Sequence, residues 1–129
     1  MAYLNKSVFL GGQLDYGCGR GEDADIIGMK KYDPHYFPNE DVLRPRYTYV
    51  TCNYVLNVVD AVEGSKILSS IIDILTPNGV AYISVRRDVK QDGLTKKGTY
   101  QRNVILNLPV VHEKKGSFCI YRLDKNNVK

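Results

Sequence analysis

The sequence predicts an α/β domain with a mainly parallel sheet, an antiparallel end and few helices. Three observations predict it. A β-rich stretch near the N-terminus runs into a glycine turn, Gln13 to Gly21. A second β-rich stretch, Tyr47 to Cys52, is followed by a helical segment with one apolar face and then by the apolar run 80–85. Two further β-rich segments flank a Lys-Lys-Gly turn at 114–116. Strand–turn–helix–strand, then strand–helix–strand, then a hairpin is the order of a parallel sheet finished by an antiparallel strand.

Taken in order, residues 8–16 read as a strand broken at Gly11–Gly12, whose last part leads into the glycine turn. Residues 22–29 are a short helix candidate, because Glu22 and Asp23 suit the positive end of the helix dipole and Ile26 and Ile27 give one apolar patch. Residues 30–33 form a short strand stopped by Pro34, and 34–45, with three prolines and no helical period, is loop. Residues 47–52 are β-branched and aromatic, hence a strand. In 65–75, Ile67, Leu68, Ile71, Ile72, Ile74 and Leu75 recur at three and four, which predicts a helix ended by the turn Pro77-Asn78-Gly79. The run 80–85 resembles a strand buried on both faces. Residues 93–98 read as loop, and 103–108 and 117–123 as the last two strands.

A length of 129 residues predicts one minimal domain over 1–129. Hydrophobic residues at 43% and charged residues at 25% fit a soluble globular chain. No run approaches the roughly 18 apolar residues of a membrane span, so no membrane partner is expected. The opening MAYLNKSVFLGG has one lysine and a very short apolar stretch, unlike a signal peptide. Three cysteines, Cys18, Cys52 and Cys119, have no metal-like spacing, so a reduced, cytoplasmic setting is predicted. The net charge of +4 is unevenly spread: residues 1–85 carry 7 Lys+Arg against 10 Asp+Glu, and residues 86–129 carry 11 against 4.

The glycine turn carries the chemistry. Its spacing is G-x-G-x-G, not the G-x-G-x-x-G of dinucleotide folds, and acids surround it: Asp15, Glu22, Asp23 and Asp25. A phosphate cradle would want cations or bare N–H groups. An acidic glycine loop suits a positively charged ligand without pyrophosphate, and S-adenosylmethionine meets that description.

The stretch LDYGCGRGED resembles the first motif of the class I S-adenosylmethionine-dependent methyltransferases, which implies a Rossmann-like fold and that cofactor. By this resemblance Asp15 orients the loop and the amino-acid end of the cofactor. Tyr16, Gly17, Cys18, Gly19 and Gly21 form the close-approach loop. Asp33, about 14 residues beyond Gly19 and followed by Pro34, takes the place of the acid that accepts from the ribose hydroxyls. VTCNYVLNVV (50–59) resembles the motif bordering the transferred methyl and points to Asn53 and Tyr54 as catalytic contacts. The joint wording GCGRG, YDPHY and NYVLNVV is similar to bacterial methyltransferases associated with DNA phosphorothioation, which implies fold and cofactor better than substrate.

The sequence departs from the family pattern in three places. The acid that usually starts the fourth strand is replaced near Tyr47 and Thr48. The helix and strand that usually follow the second strand shrink into 34–45. Almost nothing precedes the first strand. A partner chain or a second copy would then complete acceptor binding. The basic block supplies the expected substrate residues Arg86, Arg87 and Lys90, at the carboxyl end of the run 80–85, with Lys96, Lys97, Lys114 and Lys115 on the same edge. They favour an anionic acceptor, nucleic acid first. No metal is expected. His35 is a candidate general base, Tyr36 and Tyr32 are candidates for adenine or core packing, and Asn57 is a candidate cap or substrate contact. A non-catalytic module that binds S-adenosylmethionine or serves a larger modification complex is the alternative. A nicotinamide dehydrogenase is disfavoured by the glycine spacing.

Overall fold

The structure, a computed structural model, describes residues 12–17, 21, 28–96 and 98–126. The expected helix over 22–29 lies almost wholly outside them, as do Cys18, Gly19 and Lys97. Eight strands are described: β1 (Gln13–Tyr16), β2 (Lys30–Tyr32), β3 (Tyr47–Asn53), β4 (Leu75–Arg86), β5 (Gly93–Leu94), β6 (Tyr100–Gln101), β7 (Val110–Lys114) and β8 (Phe118–Leu123). The helix α1 (Ala61–Ile74) joins β3 to β4. The main sheet has the order β2-β1-β3-β4-β8-β7, and β5 and β6 form a separate hairpin. Strands β1 to β4 pair in parallel, and β8 is antiparallel to both β4 and β7. Hence β7 runs parallel to β4, and its carboxyl end returns to the edge where β4 ends.

One face of this sheet makes the core. Leu14, Val50, Ala81 and Leu123 are in register across four strands, and Cys52, Ile83 and Tyr121 follow two residues on. All are buried. Side chains alternate along a strand, so this set shares one face, and Ile67, Ile71 and Ile74 of α1 belong to the same cluster. Asp60 caps α1 by accepting from the Glu63 N–H at 2.8 Å. The opposite face carries Tyr49, Thr51 and Tyr82, which remain half-exposed. So β4 alternates along much of its length, where a strand buried on both faces was expected.

Two expectations for the chain's second half are corrected. The helix stops at Ile74 and the next residue already begins β4. Pro77-Asn78-Gly79 is not a turn between elements but a bulge: Tyr47 pairs with Leu75 while Tyr49 pairs with Val80. A Cβ at Gly79 would sit 2.8 Å from the Tyr47 carbonyl oxygen, so the bulge needs glycine. Residues 103–108 are not a strand. Val104 is buried while Ile105 is exposed, the alternation that mimicked a strand. The segment makes side-chain bonds instead of a ladder. Arg87 Nη1 donates to the Val104 carbonyl, and the Leu106 N–H donates to Tyr121 Oη at 3.2 Å. The strand expected there is β7, six residues later in its closing position. The loops at 34–45 and 93–98 also gain structure, a 3-10 turn at Glu40–Leu43 and the hairpin β5–β6. Among the described residues no helix is long and apolar enough to cross a membrane.

Candidate functional site

In an open parallel sheet ligands bind beyond the carboxyl ends of the strands. Here β1, β2 and β3 are neighbours, and each leaves the sheet through a constrained residue.

β1 ends at Gly17, with φ +76° and its N–H donating to the Tyr32 carbonyl at 2.7 Å. A Cβ there would lie 2.4 Å from Val55 Cγ2, so glycine is required twice, by the backbone and by Val55. Gly21, at φ +80°, is equally enclosed, with Lys31 Cδ 2.4 Å from where its Cβ would be. Asp15, 6% exposed, accepts from Thr51 Oγ1 at 2.9 Å. That bond fixes a carboxylate directly beneath the glycine loop.

β2 ends at Asp33. Its Oδ1 accepts from the N–H groups of His35 at 2.8 Å and Tyr36 at 3.0 Å, an Asx turn that reverses the chain through Pro34. The Asp33 and Phe37 backbones exchange hydrogen bonds of 3.1 and 2.9 Å and close the turn. The aspartate thus has the turn-forming role open to any residue in its place, and its carboxylate is held at the carboxyl edge.

β3 ends at Asn53, which is exposed and in register with Ser84 of β4. The next residue, Tyr54, has φ +63°, the one positive φ outside glycine among the described residues. Tyrosine rarely adopts this conformation, and such outliers persist where surrounding structure over-determines them. The Tyr54 N–H donates to the Ser84 carbonyl at 2.8 Å, and its ring is 45% exposed on the edge.

The remaining expected residues divide. Tyr16 packs its ring on Tyr32 with centroids 5.1 Å apart, and both are buried in the core, so Tyr16 faces the edge with its backbone only. Pro34, His35 and Tyr36 are exposed in the Asx turn. Arg86 stands on the edge, donating from Nε and Nη2 to the two Asp88 oxygens at 2.8 Å each. These bonds hold the Asp88 carboxyl below its usual range. Lys90 is exposed in the open groove beyond β4. Arg87 departs from expectation. Its side chain is largely covered, donates to the Val104 carbonyl and to Tyr121 Oη at 2.5 Å, and pairs with Glu113 at 3.6 Å. It is a strut between β4, β8 and residues 103–108, because its backbone faces Ser117 and its side chain finds acceptors under the sheet.

Asn57 is likewise structural. It is fully buried, with Oδ1 accepting from the Arg86 N–H at 2.7 Å and Nδ2 donating to the Arg102 carbonyl at 2.8 Å. Cys52 is buried, and desolvation followed by the nearby Asp15 charge pushes its thiol up to about 12, so no thiolate nucleophile is present near neutral pH. Sequence reasoning missed Thr51 and Val55. Both act on β1 through register and packing, which no local pattern announces.

Adjacent parallel strand ends with a glycine exit, an acid exit and a strained aromatic exit define an α/β domain built to hold a small ligand at its carboxyl edge. The chain belongs to the methyltransferase-domain family: the family model described as "Methyltransferase domain" matches residues 11–115. Such domains take the methyl group from S-adenosylmethionine. No curated protein matches the sequence. Among solved structures, magnesium protoporphyrin IX methyltransferase (ChlM) from Synechocystis PCC 6803 with bound SAM is similar at 14% identity and a TM-score of 0.44. The alignment covers 86% of this chain and 68% of that one, and at this distance the likeness does not bear on the site. The comparisons support the methyltransferase domain and do not extend to the phosphorothioation-associated subgroup.

The residues present fit the cofactor. Glycines at Gly17 and Gly21 bring main chain to the edge without side chains. Asp15 and Asp33 are carboxylates at the ends of neighbouring strands, suited to a cationic ligand with a ribose diol. Among the described residues no group of three or more His, Cys, Asp or Glu could hold a metal ion.

Proposed function

We propose that the β1–β2–β3 edge binds S-adenosylmethionine and transfers its methyl group to an acceptor approaching beyond β3 and β4. The observation that carries this reading is the Gly17–Asp33 pair: a positive-φ glycine ending β1 and a fixed carboxylate ending its parallel neighbour.

When bound, the cofactor supplies a methyl already activated on a sulfonium. Catalysis is therefore mostly alignment, and a strong base is needed only if the acceptor must lose a proton. Asp33 accepts from the ribose hydroxyls, since an ionised carboxylate only accepts and a diol offers two donors. Asp15, held by Thr51, supports the loop of Tyr16, Gly17, Cys18, Gly19 and Gly21 and attracts the cationic amino-acid end. Pro34 restricts the backbone after Asp33. Asn53 and Tyr54 border the acceptor, with an amide that donates and accepts and a phenol fixed by its unusual backbone. Arg86 and Lys90 lie on the acceptor side.

Asp33→Asn is expected to keep the turn, because the amide oxygen can still accept from His35 and Tyr36, while losing the charge that strengthens the ribose bonds. Calorimetric titration with S-adenosylmethionine should show affinity lowered by about 1–3 kcal/mol with the melting temperature nearly unchanged. Equal affinity in the variant would remove Asp33 from the site. No heat from the wild type with S-adenosylmethionine would defeat the reading itself. Binding without methyl transfer to any class of acceptor would favour the non-catalytic module.

A further inference from the structure

We propose that the acceptor is a single-stranded nucleic acid, laid along the carboxyl edge from Tyr54 past the β5–β6 hairpin to the turn at Lys114 and Lys115. This rests on the methyl-transfer reading above and deepens it.

The edge is continuous. Arg86, Phe118 and Lys114 are in register across β4, β8 and β7, so the basic turn stands beside the end of β4. From the end of β3 to the end of β7 is three strand spacings, roughly 14 Å. Lys90 and Lys96 line an open groove of about 610 Å³ between them and Arg86. The acids of that groove are engaged: Asp88 holds Arg86, and Asp92 accepts from the Asn103 N–H and Nδ2 at 2.9 and 3.0 Å. Among the described residues, Lys90, Lys96, Lys114 and Lys115 have no acidic partner within ion-pair distance. A small anion needs donors that converge on one point. Cations spread along an edge suit a polyanion.

Aromatic groups interleave with these cations. Tyr54 is 45% exposed and Tyr100, on β6, is 36% exposed, with Leu94 opposite Tyr100 in the hairpin at 76%. The hairpin is held upright by a Thr95–Thr99 pair, N–H to carbonyl at 2.7 Å and hydroxyl to hydroxyl at 2.7 Å. Exposed rings beside a cationic track bind unpaired bases by stacking, and a duplex would hide those bases. A single strand also presents a base to Asn53 and Tyr54 without the cost of extrusion.

The test is fluorescence anisotropy with labelled single-stranded DNA and RNA oligonucleotides at salt from about 50 to about 200 mM, where phosphate contacts show as a slope. Lys114→Ala/Lys115→Ala should reduce the salt slope by about 1. Tyr100→Ala should weaken binding roughly 10-fold at an unchanged slope, because stacking releases no counterions. Lys90→Ala/Lys96→Ala provides a second pair at exposed positions should the first disturb the β7–β8 turn. Three results would overturn the proposal: no binding at low salt by protein that still binds S-adenosylmethionine, duplex binding as tight as single-strand binding, or displacement by polyglutamate as effective as by an oligonucleotide. Failure to bind S-adenosylmethionine at all would defeat the underlying reading, and this one with it.

Discussion

Replacing Asn57 with alanine is expected to destabilise the protein by about 3–5 kcal/mol, since two buried backbone groups lose their partners at about 1–3 kcal/mol each and a cavity opens. The amide is 0% exposed and joins three segments. Oδ1 holds the Arg86 N–H at the end of β4, Nδ2 holds the Arg102 carbonyl, and the Asn57 carbonyl takes the Arg102 N–H at 2.8 Å. Arg102 Nε in turn donates to the Val59 carbonyl at 2.5 Å. No water can replace these bonds in a packed site. A domain of this size has about 5–15 kcal/mol in all, so the loss takes a large part of it. Asn57→Asp should be at least as damaging despite its near-identical shape, because a buried carboxylate meets the Arg102 carbonyl with no proton to give. Urea midpoints of the three proteins decide it. Equal midpoints for the wild type and Asn57→Asp would mean that the amide's donor does not matter.

The second large effect is expected at Gly17. Alanine there meets two penalties. A positive φ costs a non-glycine residue about 1–2 kcal/mol. The new Cβ would also fall 2.4 Å from Val55 Cγ2, a stiff branched side chain with little freedom to withdraw. The total should reach about 2–4 kcal/mol, with the steric part comparable to an overpacked core. Gly116 separates the two penalties: its φ is +75°, almost that of Gly17, and nothing lies within 4 Å of its would-be Cβ. Gly116→Ala should therefore cost only the conformational part. Thermal melts of both variants test this. Similar losses at the two sites would show that Val55 yields easily and that the β1 exit is not closely packed.

What the sequence made legible was chemistry confined to a few neighbouring residues. The glycine spacing after β1, Asp33 before Pro34 and the apolar positions of α1 are local signals, and each reappears in its place. Long-range roles were hidden. Arg87 follows Arg86 in the chain, and nothing nearby shows that its acceptors are Val104, Tyr121 and Glu113. Thr51 reaches Asp15 only because β1 and β3 are registered neighbours. The alternation of 103–108 was real, but alternation reports one buried side and not the presence of a partner strand. Pro77-Asn78-Gly79 was read correctly as a break in regular pairing, and its geometry depended on Tyr47 opposite. The positive φ of Tyr54 had no sequence signal, since tyrosine is among the residues least suited to it.

The larger groove of about 770 Å³ lies on the other side of the molecule, between Leu68 and Ile72 of α1 and the segment through Leu106 and Leu108. It offers apolar walls without a glycine exit or a strand-end carboxylate. The two locations make competing predictions for where S-adenosylmethionine binds. Backbone amide shifts of isotope-labelled protein titrated with S-adenosylmethionine read the location directly. The account predicts shifts at Gly17, Asp33 and Tyr54, with Ile72 and Leu106 unmoved. Shifts confined to Ile72, Leu106 and their neighbours would contradict it.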